Sequence, residues 1–170
     1  MTRFARTLTM LAASAAFAAP AYAATAPVGA AVPATATAQI VDPLTLTKTS
    51  DLNFGTLIRN GMVATQTVNI SEAGVVACTS QLLCGGTTSA ANFNVAGSAN
   101  QVVKVYVAPT TITGPGAATL LFTPAAASAS PLTLSGTGAA SFAVGGSIAV
   151  APTTPAGVYS GNMDVTVDYN

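Results

Sequence analysis

The chain has no histidine and no tryptophan, and of its 170 residues only five are Lys or Arg and five Asp or Glu. Without imidazole, the side chain that most often moves protons near neutral pH is missing, and zinc loses its commonest nitrogen ligand. Without indole, any sugar-stacking platform must rest on tyrosine. The few cations form no cluster, which removes the electrostatic footprint of a nucleic-acid or anionic-membrane binder. Beyond the first two dozen residues, no apolar run is long enough to span a bilayer as a helix. Such low charge with 51% hydrophobic residues is also the opposite of a disordered composition.

The carboxylates that remain are poorly placed for catalysis. Asp164 and Asp168 lie four apart on the polar side of an alternating segment and read as solvated charges rather than a glycosidase pair. Asp42 and Asp51 flank turns, where Asp side chains bond local backbone N–H groups. Gly145-Gly146 lies inside a strand pattern with no Lys after it, so it is no phosphate loop. The serines have no base to activate them. These absences argue against an enzyme, an exported hydrolase included, and no cofactor or metal is expected.

What is present begins with a leader. Arg3 and Arg6 precede an apolar stretch at 8–17, and Ala21-Tyr22-Ala23 has the small-x-small form of a cleavage site. Residues 1–23 are therefore expected to be a signal peptide, and the chain from Ala24 onward to be exported. Passage would be through the periplasm to the cell surface or medium. The charges left are Lys48, Arg59 and Lys104 against Asp42, Asp51, Glu72, Asp164 and Asp168. Cys78 and Cys84 are the two cysteines, spaced C-x5-C. In an exported chain an even count favours a disulfide over free thiols or metal ligation. Closing so short a loop contributes roughly 2–2.5 kcal/mol in the chain-entropy account.

The rest reads as strands and turns. From 158 to 170 the chain is V-Y-S-G-N-M-D-V-T-V-D-Y-N. Tyr159, Met163, Val165, Val167 and Tyr169 alternate with polar residues, which predicts one long strand with those five on its core face or assembly edge. Residues 34–41 alternate too and are expected to form a strand. Further strands are expected at 44–47, 64–70, 93–95, 103–107, 120–122 and 132–134, with 93–95 and 103–107 paired around a turn near Gly97. Asp51 to Gly55 is expected to open another strand. Phe142, Val144, Ile148 and Val150 share one face around a bulge at Gly145-Gly146 and should join Met163, Val165 and Val167 in one core. Residues 125–130 read as loop and 153–157 as a turn. Many short strands without a helical period predict an all-β sandwich over residues 34–170. Residues 24–33 read as an extended arm. Its even positions Ala24, Ala26, Val28, Ala30 and Val32 are apolar, while Pro27 and Pro33 cannot donate to a ladder.

Four stretches resemble the exported bacterial family called domain of unknown function 4402: A-T-A-T-A-Q-I-V-D-P-L-T-L-T-K-T-S-D-L-N-F-G-T-L at 34–57, F-N-V-A-G at 93–97, S-F-A-V-G-G-S-I-A-V at 141–150, and P-A-G-V-Y-S-G-N-M-D-V-T-V-D-Y-N at 155–170. The cysteine loop departs from that pattern. The resemblance implies an immunoglobulin-like, pilin-like sandwich of Greek-key antiparallel sheets and a structural role. The expected function is a subunit of a surface pilus or fimbria that polymerises by strand complementation, with the arm as donor. Its partners would be copies of itself or a periplasmic chaperone and usher. The other expectation is a self-complete exported domain that adheres to glycan or matrix. For that role Tyr106, on the face opposite Val103, Val105 and Val107, is the surface candidate.

Overall fold

The computed structural model describes residues 29, 33–125 and 131–170. The chain divides into two units, Met1–Ala38 and Gln39–Asn170. In the first, Gly29 and residues 33–38 are exposed and have no regular secondary structure. The leader and the apolar arm positions Ala24, Ala26, Val28, Ala30 and Val32 lie outside the described residues, as do 126–130 of the expected loop. Residues 39–44 form no strand either, so the strand expected at 34–41 is absent. The alternation there is carried largely by alanine, which buries too little area to hold a strand on a sheet.

The second unit is built almost wholly from strands. In order they are β1 (Thr45–Ser50), β2 (Thr56–Arg59), β3 (Gln66–Ile70), β4 (Val76–Ala77), β5 (Leu82–Gly85), β6 (Ala91–Ala96), β7 (Val102–Val107), β8 (Thr110–Thr113), β9 (Thr119–Pro124), β10 (Leu132–Thr133), β11 (Ala139–Val144), β12 (Gly146–Val150) and β13 (Val165–Tyr169). A single 3-10 turn, Pro115–Ala117, joins β8 to β9. The sheets have the orders β1-β6-β11, β10-β7-β13, β4-β3-β12-β9-β8 and β2-β5. Every ladder is antiparallel. The all-β sandwich is thus the fold.

Period-two burial explains the layers. In β6 the buried residues are Ala91, Phe93 and Val95, and in β7 they are Val103 and Val105. Phe93 stacks on Phe142 of β11 with ring centroids 5.3 Å apart. Val105, Val165 and Val167 from the β10-β7-β13 sheet pack against this pair. So 93–95 and 103–107 are both strands, but they are not paired with each other as expected. They belong to different sheets and meet across the core, because alternation specifies a face and not a neighbour. The other half of the core is Val68, Leu82, Leu120, Phe122, Ile148 and Val150. Of the seven residues expected to share a core, Phe142 and Val144 lie in the first cluster and Ile148 and Val150 in the second, with Met163 packed against both.

The two halves are joined by strands that change sheets. β11 pairs with β6, and after Gly145 the same chain continues as β12, paired with β3 and β9. Glycine is required at this crossing: a Cβ on Gly145 would lie 2.3 Å from the Ile70 carbonyl oxygen, and one on Gly146 2.5 Å from the Phe122 ring. Likewise β7 pairs with β10 and β13, whereas β8, two residues on, pairs with β9. Pro109, which has no N–H to donate, marks that break.

Candidate functional site

The feature that stands out is a groove of about 930 Å³ between two stretches of chain that have strand character but few ladder partners. Its floor is core: Leu82, Phe93, Leu120, Phe122, Ile148 and Val150. One rim is the segment 51–57 with Arg59, the other the segment 154–164.

The first rim leaves β1 at Asp51, whose carboxylate pairs with Lys48 at the groove mouth. Asn53 exchanges both backbone bonds with Ser89, at 2.8 and 3.0 Å. In an antiparallel pairing successive residues direct their N–H and C=O groups to opposite sides. Leu52 and Phe54 therefore turn their backbone groups away from Ser89, and their side chains pack into the core. The strand expected to open here amounts to this one bridge. Asn53 Oδ1 accepts the Gly55 N–H at 2.9 Å, and Gly55 adopts φ +73°, which turns the chain before β2.

The second rim mirrors the first. Ser160 exchanges both backbone bonds with Thr113, at 2.8 and 3.0 Å. From 158 to 164 the burial alternates as in a strand: Tyr159 and Met163 are half-buried, Val158, Ser160, Asn162 and Asp164 exposed. Among the described residues the Ser160–Thr113 bridge is nevertheless the single β-pairing in this stretch. The terminal strand expected from 158 thus becomes a ladder only at Val165. Its register pairs Val165 with Val107. Extended by two residues, that register would set Met163 opposite Pro109, where no donor exists, and the ladder stops.

The residues singled out from sequence are placed as follows. Tyr159 donates its hydroxyl hydrogen to the Pro155 carbonyl at 2.9 Å, with its ring over Gly114. Tyr169 donates to the Asp42 carbonyl at 2.7 Å and accepts the Ser98 N–H at 2.8 Å. Val165 and Val167 are half-buried on the inner face, in the phase expected. Cys78 and Cys84 are disulfide-bonded. They pack against the floor cluster that contains Leu82. Tyr106 projects from the outer face of β7 at 65% exposure. Among the described residues no three His, Cys, Asp or Glu side chains converge as metal ligands would, and no helix is long and apolar enough to cross a membrane.

The arrangement suits one kind of chemistry. An extended segment laid between the rims would bond along both edges and set alternate side chains on the apolar floor. Sequence reasoning missed the groove. Its rims lie about a hundred residues apart in the chain, and each reads as an ordinary strand by itself.

The profile of the family described as domain of unknown function (DUF4402) matches residues 44–169, from just before β1 to the end of β13. The chain belongs to that family. No curated protein and no solved structure matches it.

Proposed function

We propose that this chain is a structural subunit of a surface pilus, fimbria or related surface assembly, and that a strand from another chain completes its sandwich in the groove. The observation that carries this reading is the second rim: an extended, half-buried segment with a strand's alternation and a single bridge. Main-chain bonds to both rims would supply affinity, and the pockets over Phe122 and Ile148 would select alternate apolar side chains. The donor in the assembly is the arm of a second copy, with Ala24, Ala26, Val28, Ala30 and Val32 entering the groove. Before assembly a periplasmic chaperone, working with an usher, would fill the same place. Export behind the 1–23 leader belongs to this reading, and no covalent step does.

An arm of alanine and valine buries little area, at roughly 25 cal/mol per Å², so most of the hold must come from the ladders. Deleting residues 24–32 in the native host tests it. The expected result is loss of fibres under the microscope and of heat-resistant oligomer ladders on gels, with the subunit still exported. Polymers that persist unchanged would rule out assembly through this arm.

One observation favours the rival reading, a self-complete adhesin for glycan or matrix: the exposed ring of Tyr106. It lacks company, because the Tyr159 and Tyr169 hydroxyls are both engaged within the sandwich. A stacking platform of several aromatics is therefore not assembled around it.

A further inference from the structure

We infer that Arg59 is a positioning residue that ties the two rims of the groove together and holds the second in place to receive a strand; this rests on the strand-binding reading above. Arg59 is the last residue of β2 and stands opposite Leu82, the fully buried floor residue of β5. Its Nη1 donates to two carbonyls of the other rim's root, Pro152 at 2.8 Å and Thr154 at 2.9 Å. Those carbonyls belong to a tight turn. The Thr154 N–H donates to the Ala151 carbonyl and the Ala151 N–H to Thr154 Oγ1, each at 3.0 Å. The second rim begins at Thr154. One guanidinium nitrogen thus bolts the start of the second rim to the end of the first.

Beyond Thr154 the rim is held by Tyr159 and Met163, which pack on the core, by Gly157 and Gly161 close against Pro115 and Ile112, and by the Ser160–Thr113 bridge, until the ladder of β13 begins. Arg59 supplies the side-chain hydrogen bonds that tie the end of the first rim to the root of this one.

The test uses the purified full exported chain and a labelled peptide with the sequence of residues 24–33. R59M keeps an unbranched apolar stem without the donors, and R59K restores three N–H donors on one nitrogen. Both bonds of Arg59 leave from one nitrogen, so R59K is expected to bind the peptide within about threefold of wild type. R59M is expected to bind at least tenfold more weakly, mostly through faster dissociation. Equal binding by R59M and wild type, or R59K as weak as R59M, would overturn the role of Arg59 and leave the groove standing. A wild-type chain that does not bind the peptide would instead overturn the strand-binding reading, and this inference with it. Hydrogen exchange on the wild type needs no variant. Amides of 151–154 should be equally protected with and without peptide, while those of 158–164 gain protection. Equal gains in both stretches would show that the second rim is not held in place beforehand.

Discussion

At the residue scale, the hydroxyl of Tyr169 closes the end of the sandwich remote from the groove. It joins the Asp42 carbonyl to the Ser98 N–H, and Ser98 Oγ in turn accepts the Asp42 N–H at 2.6 Å. The ring fits because residue 97 is glycine: a Cβ there would stand 2.4 Å from the hydroxyl and 2.7 Å from Leu44 Cδ2. Removing one oxygen leaves a carbonyl and an N–H without their partner. Tyr169→Phe should therefore cost about 1–2 kcal/mol, since unpaired polar groups cost more than a hydrogen bond gains. Urea unfolding checks this through a lower midpoint at unchanged slope. A midpoint equal to wild type would mean that water replaces the hydroxyl at no cost.

At the scale of elements, β13 provides a paired comparison. Val165 is half-buried against the Phe93–Phe142 cluster, and its neighbour Asp164 is exposed. Val165→Asp would set a carboxylate against that cluster and should cost about 3 kcal/mol or more, enough to leave little folded protein. Asp164→Ala should stay within about 0.5 kcal/mol of wild type. Exported yield and urea midpoints of the two variants decide it, and equal tolerance would mean that the strand faces the other way. The β4–β5 connection gives a second case. Cys78 and Cys84 clip it with Cα atoms 6.1 Å apart, just before Cys84 pairs with Leu57. Replacing both with Ser should lower stability by roughly 2–2.5 kcal/mol, read from the same unfolding curves.

These elements also mark what the sequence discloses. The phase of β13 and the strands expected at 103–107 and 120–122 were legible, because each is a local pattern of faces, whereas the bulge expected at Gly145-Gly146 is instead the crossing from one sheet to another. Which strand lies beside which was not legible, as 93–95 and 103–107 illustrate: a face can meet any complementary face. Residues 34–41 misled because alanine alternates without burying enough to fold. Residues 158–164 misled for the opposite reason. Apart from Gly161 their side chains keep a strand's alternation, and what they lack is a ladder beyond the Ser160–Thr113 bridge, which no pattern within the segment records.

At the scale of the molecule, the outer face of the β1-β6-β11 sheet is small and polar rather than charged. Thr47 of β1, Asn94 of β6 and Ser141 of β11 lie side by side, with the Ser141 hydroxyl on Asn94 at 2.9 Å. Such faces carry little charge repulsion between copies, which suits close lateral packing under the proposed role. The chain enters the sandwich at Asp42, beside Tyr169, whereas the groove extends the other way from Asp164. Under the proposed role the donor arm and the groove that receives it are different surfaces, so the contact is heterologous and generates open filaments unless the rotation closes a ring. Deleting 24–32 would then remove every link of such a filament at once rather than shorten it.

The Tyr169–Asp42 bond also has a consequence in time. Its partners are 127 residues apart in the chain. A ribosome working at roughly 5–20 residues per second delivers Tyr169 on the order of 6–25 s after Asp42. β7 is itself made partway through that interval, and β13 follows it 58 residues later from Val107 to Val165 and 66 from Val103 to Tyr169, or about 3–13 s. Until then its receiving edge is bare, and Val103 and Val105, buried in the finished fold, lack the cover of Val165 and Val167. For those seconds the chain lacks the strand that closes its sheet, and an unpaired strand edge beside uncovered apolar side chains is the combination that favours clumping.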